Sequence, residues 1–175
     1  MKELILGGAR SGKSALAERR ARDSGLAVCY IATAHAGDAE MAARIARHRA
    51  DRPAHWTTLE EPLALARVLR EQAREDRCLL VDCLTLWLNN LLLAGEGVCE
   101  REQAALLEVL PSLPGRLLLV SNEVGQGVVP LGELSRRFVD EAGRLHQRLA
   151  ALCERVTLVV AGLELPLKQQ ETANQ

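Results

Sequence analysis

The chain has 175 residues, of which 48% are hydrophobic, and its 22 basic and 23 acidic side chains leave a net charge of -1. That size suits one domain with an ordinary core, and the apolar share excludes a disordered chain. The balanced charge argues against broad nucleic-acid binding or a membrane-surface role, and an aromatic share of 2% is too small for base-stacking platforms.

Short apolar runs alternate with longer helical patterns, the mark of a mostly parallel sheet with helices on both faces. In chain order the pattern predicts a strand at Glu3–Leu6, a helix at Lys13–Asp23 and a strand at Ala27–Ala32. A helix over Asp38–Ala50 follows, with Asp38 in position to cap its free N–H groups. Next come a helix over Pro62–Glu75, a strand at Cys78–Asp82, and helices over Leu84–Leu93 and Arg101–Leu110. After a punctuated turn from Pro111 to Gly115, a strand at Arg116–Ser121, a helix over Leu131–Cys153 and a strand at Val156–Ala161 complete the pattern. The polar residues from Lys168 to Gln175 are expected to fray.

No repeat or long linker divides the sequence, so residues 1–175 read as one domain. The longest apolar stretch, Leu79 to Leu93, is interrupted by Asp82, Asn89 and Asn90, which argues against a membrane span. The N-terminus runs straight into a strand and a glycine loop, so no signal peptide and a cytoplasmic location are expected. Cys29, Cys78, Cys83, Cys99 and Cys153 form no C-x-x-C pair and read as buried, reduced thiols.

The strongest chemical signal is Gly7-Gly8-Ala9-Arg10-Ser11-Gly12-Lys13-Ser14, which fits G-x-x-x-x-G-K-[ST] between a strand and a helix. Gly7 and Gly12 are expected to adopt backbone angles that other residues avoid, so that successive N–H groups turn inward around a phosphate. The helix starting near Lys13 adds its positive end, Lys13 reaches the outer phosphates, and the Ser14 hydroxyl is placed for Mg²⁺. This implies an α/β P-loop NTPase fold of the RecA-like type. Leu79-Leu80-Val81-Asp82 supplies a buried strand ending in a carboxylate, the expected second metal group, with a cap for the Leu84 helix as the alternative reading of Asp82.

Between Arg44 and Arg52 four arginines surround His48. Guanidinium forks match phosphate oxygens, and positive neighbours favour the neutral form of an imidazole, the form able to act as a nucleophile toward phosphorus. In isolation the stretch also reads as a solvated helix face.

Further blocks join these: Tyr30-Ile31-Ala32-Thr33, Asp38 to Ile45, Arg52 to Trp56, Asp82-Cys83-Leu84-Thr85, Ser121 to Gly125, Val128-Val129-Pro130 and Gly162. In that order, and with the phosphate loop, they resemble the bifunctional adenosylcobinamide kinase / adenosylcobinamide-phosphate guanylyltransferase family over nearly the whole chain. The resemblance implies two reactions at one site. A nucleoside triphosphate, ATP or GTP, phosphorylates adenosylcobinamide; GTP then gives GMP to a histidine, and the new phosphate takes it to yield adenosylcobinamide-GDP.

The family's nucleophile falls on His48. Its nucleotide contacts fall on Gly7–Ser14, on Ala32, Thr33 and Ala34, on Arg49, Ala50, Asp51 and Arg52, on Glu60 and on Asp82, with Ser14 and Asp82 toward Mg²⁺. A corrinoid substrate and a homo-oligomer, a trimer being known in the family, are implied as partners. Two departures stand out: Arg47 precedes a single histidine where some members carry two, and His146 stands where asparagine is frequent. His146 reads either as a corrinoid contact or as a surface helix position.

Weaker candidates are His35, His55, Trp56, Asn122 and Glu123, and the glycine loop at Gly125 and Gly127. The competing readings are a small-molecule kinase without guanylyl transfer and a nucleotide-dependent ATPase or switch.

Overall fold

A computed structural model describes residues 1–34 and 53–169. The helix expected over Asp38–Ala50 lies outside the described residues, and with it His35, His48, Arg49, Ala50, Asp51 and Arg52.

Among the described residues seven strands form one sheet: β1 (Lys2–Gly7), β2 (Ala27–Ala32), β3 (Thr57–Glu60), β4 (Arg77–Asp82), β5 (Arg116–Asn122), β6 (Arg155–Val160) and β7 (Leu163–Gln169). Their spatial order is β3-β2-β4-β5-β1-β6-β7. All neighbours pair in parallel except β6 and β7. The described helices are α1 (Lys13–Asp23), α2 (Leu65–Gln72), α3 (Leu84–Leu93), α4 (Val98–Val109) and α5 (Glu133–Leu152).

The central strands are apolar without alternation because both faces of the sheet are covered. On one face Leu4, Leu6, Ile31, Leu79, Val81, Leu117 and Leu119 pack against α2, α3, α4 and α5. On the other, Ile5, Tyr30, Leu80, Leu118 and Val120 meet Leu16, Ala17 and Ala21 of α1. Trp87 is fully buried in the first layer, and its indole N–H donates to the Leu63 carbonyl at 2.8 Å, so its one polar group is satisfied.

Two strands go beyond the sequence expectation. β3 has four residues, Thr-Thr-Leu-Glu, and only one large apolar side chain at the sheet edge. β7 carries Pro166 in mid-strand, a residue that sheets tolerate only at an edge, which is where β7 lies. Its hairpin turn uses Ala161 (φ 52) and Gly162 (φ 78), the two left-handed residues that a tight two-residue connection requires. Lys168 and Gln169 therefore belong to a strand rather than a frayed end, and Lys168 Nζ donates to the carbonyls of Ala150 and Ala151 at 2.9 and 3.2 Å.

Helix ends shift by a few residues. α2 begins at Leu65 instead of Pro62 because Glu61 Oε1 accepts the Leu63 and Ala64 N–H groups and closes a turn first. α4 starts at Val98, earlier than expected, behind Gly97 at φ 72. All five cysteines are free and buried. Desolvation pushes the Cys78 thiol up to about 11 and Cys153 to about 12, which keeps both as unreactive thiols.

Candidate active site

Parallel strands bring their C-terminal ends to one edge, where open α/β sheets hold ligands. Gly7 aligns with Asn122, Ala32 with both Glu60 and Asp82, and Asp82 with Val120. The predicted residues Gly7–Ser14, Ala32, Thr33, Ala34, Glu60 and Asp82 thus stand along a single edge.

The loop after β1 is built by steric and conformational demands that differ from residue to residue. A Cβ on Gly7 would stand 2.4 Å from Ser11 Oγ and 2.7 Å from the Val159 carbonyl oxygen. Gly7 is needed for lack of space, which corrects the expectation of unusual backbone angles there. Gly12 does need its conformation, with φ 97. Arg10 is also left-handed, at φ 56, a conformation sparsely occupied by non-glycine residues. Left-handed residues within a turn direct successive N–H groups into a concavity suited to anions.

Contacts among the described residues hold the loop, including Ser11 N–H donating to the Gly8 carbonyl at 3.3 Å. Glu123 N–H donates to the Gly7 carbonyl at 3.0 Å, and Gly162 N–H to the Ser11 carbonyl at 2.8 Å. Lys13, largely buried, donates from Nζ to the Gly8 carbonyl at 2.9 Å. α1 has no side-chain N-cap and no acidic residue in its first turn, so its positive end is left for an anion. Buried Ser11 Oγ has no hydrogen-bond partner among the described residues. The loop has the donors and the charge for a nucleotide's phosphates.

Next to the loop, the ends of β2, β4 and β5 are tied by a polar network absent from the sequence reading. Thr33 is fully buried: its hydroxyl donates to the Cys83 carbonyl at 2.7 Å and accepts the Cys83 N–H at 3.0 Å. Thr33 N–H donates to the Asp82 carbonyl at 3.4 Å, and Asn90 Nδ2 donates to the Thr33 carbonyl at 2.8 Å. The Asp82–Cys83 peptide is cis. Thr85 Oγ1 accepts from Asn122 N and Nδ2 at 3.2 and 2.8 Å. The Thr33 side chain is therefore spent on holding the backbone beside Asp82, whose half-buried carboxylate closes β4. Burial, chiefly, and the Asp82 charge push the Cys83 thiol up.

A second network lies on the far side of Asn122. Ser121 Oγ and His146 Nε2 are 2.7 Å apart, both buried, and His146 Nδ1 is 3.8 Å from Glu123 Oε2. Glu123 Oε1 accepts the Gly125 N–H at 2.7 Å. Desolvation lowers the His146 pKa while Glu123 opposes it. His146 is 7% exposed, which corrects the surface-position alternative. Serine at the end of a buried strand was a signal for this pair, but its partner lies 25 residues away and only the fold joins them. Trp56 packs in the α1 layer of the core, and His55 is exposed.

Similarity to known proteins decides among the readings. The model of the family CobU, cobinamide kinase / cobinamide phosphate guanyltransferase, matches residues 3–167. The chain belongs to this family. Among its relatives, the bifunctional adenosylcobalamin biosynthesis protein CobP of Pseudomonas aeruginosa is 70% identical over 169 residues, covering 96% of this chain and 98% of that protein. The bifunctional adenosylcobalamin biosynthesis protein CobU of Salmonella typhimurium is 41% identical over 179 residues, covering 94% and 98%. Solved structures similar to this CobU-family chain include the RadB recombinase, with a TM-score of 0.53, 16% identity, and coverage of 90% of this chain and 73% of that one. Another is an ATPase domain with a TM-score of 0.54, 14% identity, and coverage of 97% and 77%. At such identities the likeness is one of architecture, and it establishes the RecA-like P-loop fold.

Proposed function

We propose that this chain, as a single nucleotide-binding domain over residues 1–175, carries out both reactions of its family in adenosylcobalamin biosynthesis. It phosphorylates the aminopropanol hydroxyl of adenosylcobinamide with ATP or GTP. It then transfers GMP from GTP, through a guanylyl-histidine, to that phosphate, giving adenosylcobinamide-GDP and pyrophosphate. The observation that carries this reading is the phosphate cradle at the sheet edge in a chain 70% identical to a bifunctional adenosylcobalamin biosynthesis protein.

The roles follow from the chemistry of each group. The N–H groups of Gly8, Ala9, Arg10, Ser11 and Gly12, with Lys13, bind the triphosphate and offset its charge. Ser14 and Asp82 offer a hydroxyl and a carboxylate, the hard oxygen donors that Mg²⁺ takes, and would hold it there. When bound, the ion neutralises phosphate charge. Ala32, Thr33, Ala34 and Glu60 border the same edge, Thr33 by fixing the backbone at Asp82.

In the second reaction the neutral imidazole of His48 attacks the α-phosphorus of GTP. A P–N bond forms, and the P–O bond to pyrophosphate breaks with its electron pair. Arg49 and Arg52, flanking Ala50 and Asp51, stabilise negative charge on the transferring group. The phosphate of the corrinoid then displaces the histidine. Splitting the transfer keeps GMP in place while pyrophosphate leaves.

The same reading makes the enzyme cytoplasmic and homo-oligomeric. No described helix is long and apolar enough to cross a membrane. Strand β7 is exposed along its whole length, including Leu163, Leu165 and Leu167, a surface that a second copy of the chain would cover.

The test is to incubate adenosylcobinamide, GTP and Mg²⁺ with the enzyme and follow products chromatographically, beside Lys13→Ala. The native protein should form the phosphate and then the GDP derivative, and Lys13→Ala should be slower by about 10²–10³-fold in both. Protein that binds GTP yet forms neither product would overturn the reading.

A further inference from the structure

The kinase half-reaction sets a task that the cradle does not perform. As the substrate hydroxyl bonds to the γ-phosphorus, its proton must leave. The described sheet edge offers few carboxylates for it. Glu60 ends β3, four strands from β1, or about 19 Å at the usual spacing. Asp82 is the proposed metal group, and Glu164 is paired with Arg19 and Arg20. Glu123 follows β5, the strand beside β1, and its own N–H is bonded to Gly7, the first residue of the phosphate loop.

The Glu123 carboxylate is also held. Oε1 accepts the Gly125 N–H at 2.7 Å. Oε2 faces His146 Nδ1 at 3.8 Å, and the imidazole is anchored from behind by Ser121 Oγ at 2.7 Å. A turn closed by Glu123 needs only the Gly125 contact. Yet the chain also buries a histidine among the apolar residues Ala142, Leu145 and Leu149 of α5, a placement that is costly without a polar purpose.

We propose that Glu123 is the general base that deprotonates the cobinamide hydroxyl in the kinase reaction, and that His146, fixed by Ser121, is a positioning residue for its carboxylate. The inference rests on the function proposed above. In the step, the hydroxyl proton passes to Glu123 Oε2 as the oxygen forms a bond to the γ-phosphorus. The bridging P–O bond breaks, and its electron pair leaves with the nucleoside diphosphate. Glu123 is partly exposed and returns the proton to water.

The guanylyl half has no such need, because a phosphate monoester attacks the guanylyl-histidine without losing a hydroxyl proton. That difference gives the test. Glu123→Gln should lose about 10²–10⁴-fold in kcat for phosphorylating adenosylcobinamide, a range typical of a general base. Its KM for the triphosphate should stay within about twofold. Supplied with adenosylcobinamide phosphate and GTP, the same variant should make adenosylcobinamide-GDP at the native rate. Glu123→Asp, which keeps the carboxylate, should recover part of the kinase rate. His146→Leu should lower kinase kcat about tenfold while sparing GTP binding and guanylyl transfer.

Equal loss of both half-reactions in Glu123→Gln and Glu123→Asp would make Glu123 structural and overturn the inference, as would a native kinase rate in Glu123→Gln. A native enzyme that performs neither half-reaction would instead overturn the function itself.

Discussion

Two glycines of one motif serve different physical ends. Gly12 is left-handed, whereas Gly7 is hemmed in by Ser11 Oγ and by the carbonyl of Val159, and Gly8 has nothing within 4 Å of where a Cβ would stand. A strand carbonyl cannot yield cheaply, so Gly7→Ala should cost about 1–3 kcal/mol of stability and weaken GTP binding at least tenfold. Gly8→Ala should change stability by less than about 0.5 kcal/mol. Urea unfolding and calorimetric titration with GTP measure both; equal effects at the two positions would refute the steric account. The motif identified the loop, but the reason for Gly7 was not legible in it, because β6, which supplies Val159, comes about 150 residues later.

At the scale of elements, a buried ion network fastens β1, α1, β6 and β7 together. Glu3 is fully buried and meets Arg20; Thr157 Oγ1 donates to Glu3 Oε1 at 3.0 Å; and Arg20 also pairs with Glu164. Arg20→Met leaves the Glu3 carboxylate buried without its countercharge, at an expected cost of about 3–5 kcal/mol. Replacing the partner as well, in Glu3→Leu/Arg20→Met, should restore much of that loss. Thermal or urea unfolding of the two variants decides it, and a single variant as stable as the native protein would contradict the account.

The same elements show where sequence is informative. The strands β2, β4 and β5 are apolar on both faces and stand out, and β1 and β6 show short apolar runs; α1 and α3 match their predicted bounds. Edge strands lack that signature, since a single Leu in β3 and a mid-strand proline in β7 look like loop. Helix starts shift where a side chain such as Glu61 closes a turn before the helix begins. Glu3 begins a predicted strand with no local sign of burial; in the fold β6 runs beside β1 and Thr157 reaches the Glu3 carboxylate.

For the whole molecule, strand order decides what the residues can do together. Placing β5 between β4 and β1 sets Asn122 and Glu123 between Asp82 and the phosphate loop. Motifs for the loop and for Asp82 were legible because their chemistry fixes local spacing. The Thr33–Cys83 and Ser121–His146 pairs span 50 and 25 residues and carry no local spacing, so the fold alone reveals them. His48 lies outside the described residues; Ala34, the last described residue before it in sequence, follows β2 on the edge that bears the cradle.

That both reactions use one triphosphate site with a covalent histidine is the central claim, and intact-mass measurement tests it most directly. The native enzyme and His48→Ala would each be incubated with GTP and Mg²⁺, without corrinoid. A single GMP adduct, labile in acid, should appear on the native protein and be missing from His48→Ala. An adduct on both proteins, or on neither when both bind GTP, would contradict the account.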